Sequence, residues 1–300
     1  MLAEIEKVAS DRQQNAAFSC LRLAKHVQKV FGVCVSPLTV SRALKKKNWE
    51  FRLASRAPML NPIHKRKRLI WAQHHLRKRT CFSKWMFTDS KIFLLETIGT
   101  RRGVKFWAPK GARPVCPVSR SKLGVHVYLG LTEKGLTKPI YVTGGQSQES
   151  DFIDPKTSKN HVGVSTPEYV HQVLPRFASE GSLKFGINGR WSGEWIFQQD
   201  GASCHTAKLA KQALQELWPN RHMIDWPPNS PDLSPIENVW AWGQRQLQTS
   251  CESIITIAEL KAAISQIFKH APKPMCKNLV HGMRRRPEAV IGAGGGCIGK

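Results

Sequence analysis

The sequence predicts an α/β protein, in which helices flank a mixed sheet and a small, separate helical module comes first. Three observations support this fold class. After residue 85, short apolar runs typical of strands alternate with amphipathic helical patterns. Before residue 48, two helical patterns flank a glycine. The charge is also uneven, because residues 1–84 carry 19 Lys and Arg against 4 Asp and Glu, whereas the rest of the chain carries 27 against 17.

The composition limits the classes of partner. The chain has 300 residues, a formal net charge of +25 and 41% hydrophobic residues, so it can bury a core and should bind a polyanion. Nucleic acid and an acidic membrane surface both fit that charge. No apolar run approaches the roughly 18–20 residues of a membrane span, and Met1 does not begin a signal peptide. The eight cysteines show no zinc-ligand spacing and are interpreted as reduced thiols.

Residues 1–48 are predicted to form a helix-turn-helix module that binds DNA. Gly32 separates a first helix from a second one that begins at Ser36 and Pro37, which suit the N-cap and first helical positions. The first helix is predicted to bury one apolar stripe, formed by Leu21, Ala24, Val27 and Val30. Any small helical hairpin would give a similar pattern, but the clustered lysines favour DNA binding. The predicted DNA contacts of this module are Ser36, Thr39, Arg42, Lys45, Lys46 and Lys47.

Residues 49–84 are predicted to be a basic linker that leads into a helix. A dense cationic cluster at residues 64–68 could bind phosphates without reading sequence, and it could act as a nuclear import signal. A solvated basic face is the alternative interpretation. The predicted phosphate contacts are Arg52, Lys65, Arg66, Lys67 and Arg68.

Residues 85–300 are predicted to form the α/β domain. Strands are expected over residues 85–88, 104–107, 125–129, 140–142, 195–197 and 222–224. Helices are expected over residues 206–218, from residue 234 onwards, and over residues 256–269. Residues 143–194 contain few periodic runs and many Gly, Ser and Pro residues, so they are interpreted as a loop-rich insertion.

Three carboxylates occupy positions that suit phosphodiester chemistry. Asp89 and Asp200 each follow an apolar strand, and Glu237 lies in the first turn of a predicted helix. Two divalent cations can activate a nucleophile and stabilise a leaving oxygen, and Mg²⁺ prefers carboxylate ligands. Each residue also has a simpler interpretation. The aspartates could be turn residues, and Ser234 with Glu237 matches a capping box.

The sequence around these carboxylates resembles the catalytic core of Tc/mariner superfamily DDE transposases. Residues 225–240 read Asp-Trp-Pro-Pro-Asn-Ser-Pro-Asp-Leu-Ser-Pro-Ile-Glu-Asn-Val-Trp, and residues 197–200 read Phe-Gln-Gln-Asp. Residues 85–91, 281–291 and the basic stretch up to Trp71 are also similar to family segments. The resemblance covers nearly the whole chain.

The resemblance implies an RNase H-like catalytic domain with Asp89, Asp200 and Glu237 as its metal-binding triad. The final Glu is similar to the Tc branch, and the 36 residues that separate it from Asp200 are a longer spacing than that of the best-known branches. Two Mg²⁺ ions, or Mn²⁺ in their place, would support strand cleavage at terminal inverted repeats. The freed 3′-hydroxyl would then attack target DNA at a TA dinucleotide. His205 would contact phosphate or orient a ligand, or it would be a structural hydrogen-bonding residue, and Trp226 and Trp240 would pack around the proline-rich turn.

The resemblance also implies partners and a location. These are double-stranded DNA at the transposon ends and the target, a homodimer in the active complex, no membrane, and the nucleus. Family members begin with a further helix-turn-helix, so we expect that first module to be missing from this chain. The alternative functions are a truncated or domesticated DNA-binding protein without transposition activity, and an RNase H-like nuclease that cleaves without joining.

Overall fold

The protein divides into two compact units, Met1–Ala57 and Pro58–Lys300. The structure, a computed structural model, describes residues 20–49, 58–94, 124–142, 164–186, 195–218, 222–223, 226–250 and 256–298, with single residues at 3 and 254. Within these ranges, no helix is both long and apolar enough to cross a membrane.

The first unit contains the two predicted helices, α1 (Cys20–Phe31) and α2 (Pro37–Lys46). Helix α1 ends at Gly32, whose φ of 68° lies in the left-handed region that favours glycine. Helix α2 begins where the Ser36 hydroxyl accepts a hydrogen bond of 3.0 Å from the Thr39 amide. The glycine turn and the N-cap predicted from the sequence are therefore confirmed.

The buried stripe of α1 differs from the prediction. Leu23, Ala24 and Val27 are buried against α2, whereas Leu21 and Val30 are 54% and 51% exposed. At 100° per residue, Leu21 lies about 160° around the helix from Leu23, so both cannot face the same partner. Val30 is in the last turn of α1, where its side chain stays exposed.

In the described part of the second unit, six strands form one mixed sheet. The strands are β1 (Trp85–Leu94), β2 (Gly124–Thr132), β3 (Gly135–Leu136), β4 (Ile140–Val142), β5 (Ile196–Gln198) and β6 (His222–Met223). Their order is β3-β2-β1-β5-β6, and β4 also pairs with β2. The β1–β2 pair is antiparallel, whereas β5 and β6 run parallel to β1. The parallel pairing places the carboxyl end of β5, at Gln198, beside Phe87 in the middle of β1.

Helices surround this sheet. They are α3 (Pro62–Arg77), α4 (Thr166–Glu168), α5 (Leu174–Phe185), α6 (Ser203–Thr206), α7 (Lys208–Leu217), α8 (Ile236–Ser250), α9 (Ile257–Lys269), α10 (Lys273–Gly282) and α11 (Arg286–Gly292). Short 3₁₀ turns span Phe82–Lys84 and Met283–Arg285, and a π-helical turn, Tyr169–Val173, joins α4 to α5. Helix α3, predicted as the end of a linker, lies within the second unit.

The described residues of the second unit form two apolar cores. The larger core joins α3, α8, α9, α10 and α11 to the sheet, and it contains Trp71, Trp85, Trp226 and Trp240. The smaller core joins α5, the π-helical turn and α7 to β1, β2 and β5, and it contains Trp195 and Trp218. The sheet is therefore covered by helices that belong to widely separated parts of the sequence.

The prediction of a loop-rich insertion is wrong for residues 164–186. This range is almost entirely helical, and it buries Tyr169, Val173 and Phe177 in the smaller core. The missed signal was a capping box, in which Ser165 and Glu168 bond each other's backbone amides. The rest of the predicted insertion, residues 143–163 and 187–194, lies outside the described residues, as does the predicted strand 104–107.

Two further elements differ in their bounds. Strand β1 continues through Asp89 to Leu94 because β2 pairs with it as far as Gly124. The predicted helix 206–218 is divided at Ala207, whose ψ of 151° is extended. Helix α7 buries Ala210, whereas its neighbour Leu209 is 43% exposed.

Candidate active site

A cavity of about 460 Å³ lies where β5 ends beside the middle of β1. The cavity is lined by all three predicted carboxylates, Asp89, Asp200 and Glu237. It is also lined by Pro58, Thr88, Gln198, Gly201, Ala202, Trp226, Pro227, Pro228, Asn229, Ser230, Pro231 and Ser234. The structure thus brings together side chains that are up to 148 positions apart, as the numbers 89 and 237 show.

The register of the parallel strands explains why the two aspartates meet. Phe87 of β1 pairs with Gln198 of β5, and Asp89 and Asp200 each lie two residues further along the chain. Successive side chains in a strand point to opposite faces, so equal offsets from a paired position favour the same face. The Thr88 hydroxyl strengthens this junction by donating a 2.7 Å hydrogen bond to the Gln198 carbonyl oxygen.

Asp89 is half-buried, and its carboxylate accepts a hydrogen bond of 3.0 Å from the Trp240 indole nitrogen. Burial raises the pKa of Asp89 to about 6, and the charges of Glu237 and Asp200 act in the same direction. The hydrogen bonds from Ser90 and Trp240 oppose that rise. Asp89 is therefore protonated more easily than an ordinary aspartate, chiefly because it is buried and also because two other acidic groups lie nearby.

Asp200 has a different environment. Its Oδ1 accepts hydrogen bonds from the Ala202 amide at 3.2 Å and from His205 Nδ1 at 2.7 Å. Burial works to raise the pKa of Asp200, but the hydrogen bond and charge of His205 lower it below its ordinary value. For His205, burial works to lower the pKa, and the bonds and charges of Asp200 and Cys204 raise it to about 9. Asp200 is held ionised by a protonated neighbour.

A buried hydrogen-bond network and a ring contact hold His205 in place. The Tyr169 hydroxyl donates to Gln199 Oε1, Gln199 Nε2 donates to the His205 carbonyl oxygen at 3.3 Å, and the Tyr169 and His205 rings lie 4.3 Å apart. Of the roles considered for His205, the structure therefore favours the orientation of Asp200. The sequence analysis missed this network because Tyr169 lies in the segment that was interpreted as a loop.

Glu237 is placed by the first turn of α8, and its carboxylate lines the cavity. In the described part of the chain, it makes no capping hydrogen bond with Ser234, so the capping-box alternative is not realised. Trp240, one turn further along the same helix, donates to Asp89. The interpretation of Trp240 as a packing residue was therefore incomplete.

The residues present suit a hard divalent cation. Carboxylate oxygens from three elements border one open space, and Mg²⁺ prefers such oxygens together with water and phosphate ligands. Among the described residues, no three His, Cys, Asp or Glu side chains already form a metal-ligand group. Asp89 and Asp200 instead contact Trp240 and His205.

The predicted DNA contacts fall into three groups. Those of residues 36–47, and Lys65, Arg66 and Lys67 of α3, are exposed. Arg52 lies outside the described residues. The prediction for Arg68 is wrong, because its side chain is fully buried and forms a bidentate ion pair with Asp232. A guanidinium held in this way has no access to a phosphate.

A mixed sheet of this topology, with one acidic residue within β1 and another just after the neighbouring β5, is typical of the RNase H-like enzymes. Comparisons with known proteins agree. A family model described as "Transposase" matches residues 5–77, and one described as "DDE superfamily endonuclease" matches residues 85–261. The chain belongs to the Tc/mariner DDE transposases.

Individual relatives support the same family. The chain is 34% identical to the Tcb1 transposase of Caenorhabditis briggsae, over 86% of this chain and 85% of that one. It is 28% identical to the Tc3 transposase of Caenorhabditis elegans, over 94% and 78%. Among solved structures, the Mos1 mariner paired end complex with Mn covers 100% of this chain and 80% of its own, with a TM-score of 0.73 and 16% identity. That likeness shows the RNase H-like fold, and the family makes the chain a DNA-binding, cut-and-paste transposase.

Proposed function

We propose that Asp89, Asp200 and Glu237 are the catalytic, metal-binding residues that cut transposon ends and join them to target DNA. The observation that carries this proposal is that the three carboxylates, from β1, the segment after β5, and α8, line one cavity. Turn or capping roles alone would not require the three side chains to converge.

The proposed cofactor is Mg²⁺, with two ions bound and with Mn²⁺ able to replace it. The three carboxylates would hold the ions, which would supply a nucleophile at neutral pH and stabilise the leaving oxygen. Solved Mos1 structures of the same fold were obtained with Mg and with Mn. In this chain, the hydrogen bond and charge of His205 keep Asp200 ionised. The pKa of Asp89 is about 6, so its carboxyl group would be protonated below that pH in the absence of a cation.

The proposed substrate is duplex DNA, first at the terminal inverted repeats and then at a TA dinucleotide in the target. The exposed Arg42, the lysines 45–47 and the lysines and arginine of residues 65–67 would contact phosphates, and Ser36 and Thr39 would approach base edges. A homodimer would pair two ends, by analogy with the Mos1 paired-end complexes. Such a protein would act in the nucleus, and the cluster at residues 64–68 would support import.

The proposal is tested by Mg²⁺-dependent cleavage and joining of DNA that carries the source element's terminal repeats. Wild type should cut and join, and Asp89→Asn, Asp200→Asn and Glu237→Gln should bind the same DNA without cutting it. Glu216→Gln, an exposed change on α7, is the matched control and should cut as wild type does. Cleavage that persists in the three carboxylate variants would refute the assignment.

A further inference from the structure

Arg68 forms an unusually complete set of hydrogen bonds for a buried arginine. Its side chain is 0% exposed, and each of its five N–H groups is directed at an acceptor. The acceptors are the Gly295 carbonyl at 2.9 Å, the Gly296 carbonyl at 2.9 Å, Ser230 Oγ at 2.7 Å, Asp232 Oδ1 at 2.8 Å and Asp232 Oδ2 at 2.6 Å. The residue therefore joins three separate segments: α3, the proline-rich loop and the C-terminal turn.

Asp232 is the corresponding centre on the loop. Besides Arg68, its Oδ2 accepts a 2.8 Å hydrogen bond from the Ile298 amide. Its backbone carbonyl accepts from Arg286 at 3.1 Å. Bidentate pairs between a planar guanidinium and a carboxylate fix direction as well as distance. The loop at Asp232 is consequently held in one orientation from three sides.

The loop of residues 227–231 forms one wall of the candidate catalytic cavity, called the cavity wall below. Residues 227–231, which precede Asp232, line the cavity, and Glu237 begins the helix that follows. Two residues one turn apart on α3 contact the loop, since His64 Nδ1 lies 3.2 Å from Asn229 Nδ2 and Arg68 bonds Ser230. The wall therefore lies between α3 on one side and the carboxylates on the other.

Glu237 depends on that wall. Asp89 and Asp200 are held by Trp240 and His205, but the described residues offer no hydrogen-bond partner to the Glu237 side chain. Its position is thus set by the backbone of the loop and of α8. A shift of the loop would move Glu237 relative to the two aspartates.

We propose that Arg68 and Asp232 are positioning residues, whose ion pair fixes the cavity wall so that Glu237 shares a cation with Asp89 and Asp200. This inference rests on the proposed function of the three carboxylates. The same helix presents Lys65, Arg66 and Lys67 to solvent, so one face of α3 is available to DNA while the other holds the active-site wall. Neither residue of the pair is expected to touch DNA or metal.

The test compares variants of the full chain by two readouts. Arg68→Lys keeps the charge but loses the forked geometry, and the double variant Arg68→Met with Asp232→Leu removes both buried charges together. The first readout is Mn²⁺ binding, followed by the electron paramagnetic resonance signal of free Mn²⁺. The second is the Mg²⁺ concentration that gives half-maximal cleavage on saturating terminal-repeat DNA. Arg176→Met, at an exposed arginine on α5, is the control.

Both variants should need about tenfold more Mn²⁺ for half-saturation, as is typical when a residue that orients a ligand is lost. The midpoint for Mg²⁺ in cleavage should rise in parallel, while affinity for terminal-repeat DNA and the behaviour of Arg176→Met stay at wild-type values. A merely structural ion pair predicts a lower melting temperature alone. Variants that are folded at the assay temperature and keep the wild-type Mn²⁺ midpoint would overturn the inference.

A glycine on the third segment provides an independent variant. Gly295 has a φ of 79°, and a Cβ there would overlap the Lys65 carbonyl group of α3. Gly295→Ala should therefore shift the Gly295 carbonyl that Arg68 bonds, without changing the Arg68–Asp232 charges. It should raise the Mn²⁺ midpoint, as the Arg68 variants do. Gly292→Ala, where nothing lies within 4 Å of the added Cβ, is its control.

The role of the three carboxylates and the positioning role of the ion pair are separated by the behaviour of wild type. If wild type neither binds Mn²⁺ nor cuts DNA, the proposed role of the carboxylates is wrong. If wild type does both and Arg68→Lys, the double variant and Gly295→Ala all match it, only the positioning role is wrong.

Discussion

The two sides of the catalytic cavity are built in different ways. On one side, Asp200 accepts a hydrogen bond from His205, the backbone carbonyl of His205 accepts one from Gln199, and Gln199 in turn accepts one from Tyr169. On the other side, Glu237 has no such bond among the described residues. Glu237 is supported instead by the loop that precedes α8, which lines the cavity and which the Arg68–Asp232 ion pair holds in place.

The difference shows that one carboxylate has its charge set by a neighbouring side chain, whereas the other has its position set by the backbone. The pKa of Asp200 is set locally, since its histidine neighbour lowers it. The place of Glu237 is set by the backbone, and through the backbone by a helix far away in sequence. Disturbing the first side should change a protonation state, and disturbing the second should change a distance.

The largest expected effect is the loss of cleavage in both Asp200→Asn and Glu237→Gln, by about 10³-fold or more. Stability should distinguish the two. Asp200→Asn removes the charged partner of His205 and should cost about 1 kcal/mol, because solvent screens the half-exposed carboxylate. Glu237→Gln should leave the free energy of unfolding unchanged. Urea unfolding beside the cleavage assay checks both, and equal stabilities would contradict the comparison.

The next effect concerns the stability of the Glu237 side. Arg68→Met should destabilise the second unit by about 3–5 kcal/mol, because it leaves Asp232 as an unpaired, mostly buried charge. Adding Asp232→Leu should recover most of that loss, since neither charge then remains buried. Thermal unfolding of the single and double variants measures this. A single variant as stable as wild type would show that solvent reaches Asp232.

A pH effect of about 3 kcal/mol is expected from His75, on the helix that carries Arg68. His75 is 5% exposed, and Trp71, Phe82 and Trp85 surround its ring. Burial, with the charges of neighbouring residues, lowers its pKa from 6.5 to about 4.

The unfolded chain therefore binds this proton first as the pH falls. The stabilisation is complete above pH 6.5 and is lost between pH 6.5 and about 4. Unfolding free energies of wild type and His75→Gln at pH 7 and pH 4 isolate the contribution. An identical pH dependence in the two proteins would show that His75 is not the responsible group.

The smallest expected effects come from two helical glycines that lie against aromatic rings. A Cβ at Gly181 would overlap the Trp195 indole on the Asp200 side, and one at Gly243 would lie 2.6 Å from the Phe268 ring on the Glu237 side. Each change to alanine should cost about 1–3 kcal/mol through overpacking. Gly282→Ala has open space and should be neutral. Chemical unfolding compares the three, and a stabilised Gly181→Ala would mean that α5 is loosely packed.

Much of the fold was accessible from local signals. The cap at Ser36, the turn at Gly32 and the strands β2, β4 and β5 were all expected within a few residues of their observed bounds. The helices of residues 166–185 were missed because Gly and Pro residues in that segment masked a valid capping box. Strand β1 was predicted too short because its length depends on β2, which is about 35 residues away in the sequence.

The same division applies to the candidate site. The residue types and the motif around Glu237 pointed to all three carboxylates, and chemistry explained why three were needed. Nothing in residues 64–68 distinguished Arg68 from its basic neighbours, however, because one helical turn presents consecutive residues to different surroundings. Trp240 had the same difficulty, since an indole can pack and donate at once.

By itself, the sequence determined the family, the carboxylate set, the caps and the concentration of positive charge near the N terminus. These depend on residue identity and on spacing over a few turns. Only the tertiary structure decided which cation was buried, which residues held each carboxylate and where the cavity wall was fastened. Those outcomes depend on contacts such as Arg68 with Asp232, across 164 positions of sequence, where desolvation and hydrogen-bond geometry select one partner from many.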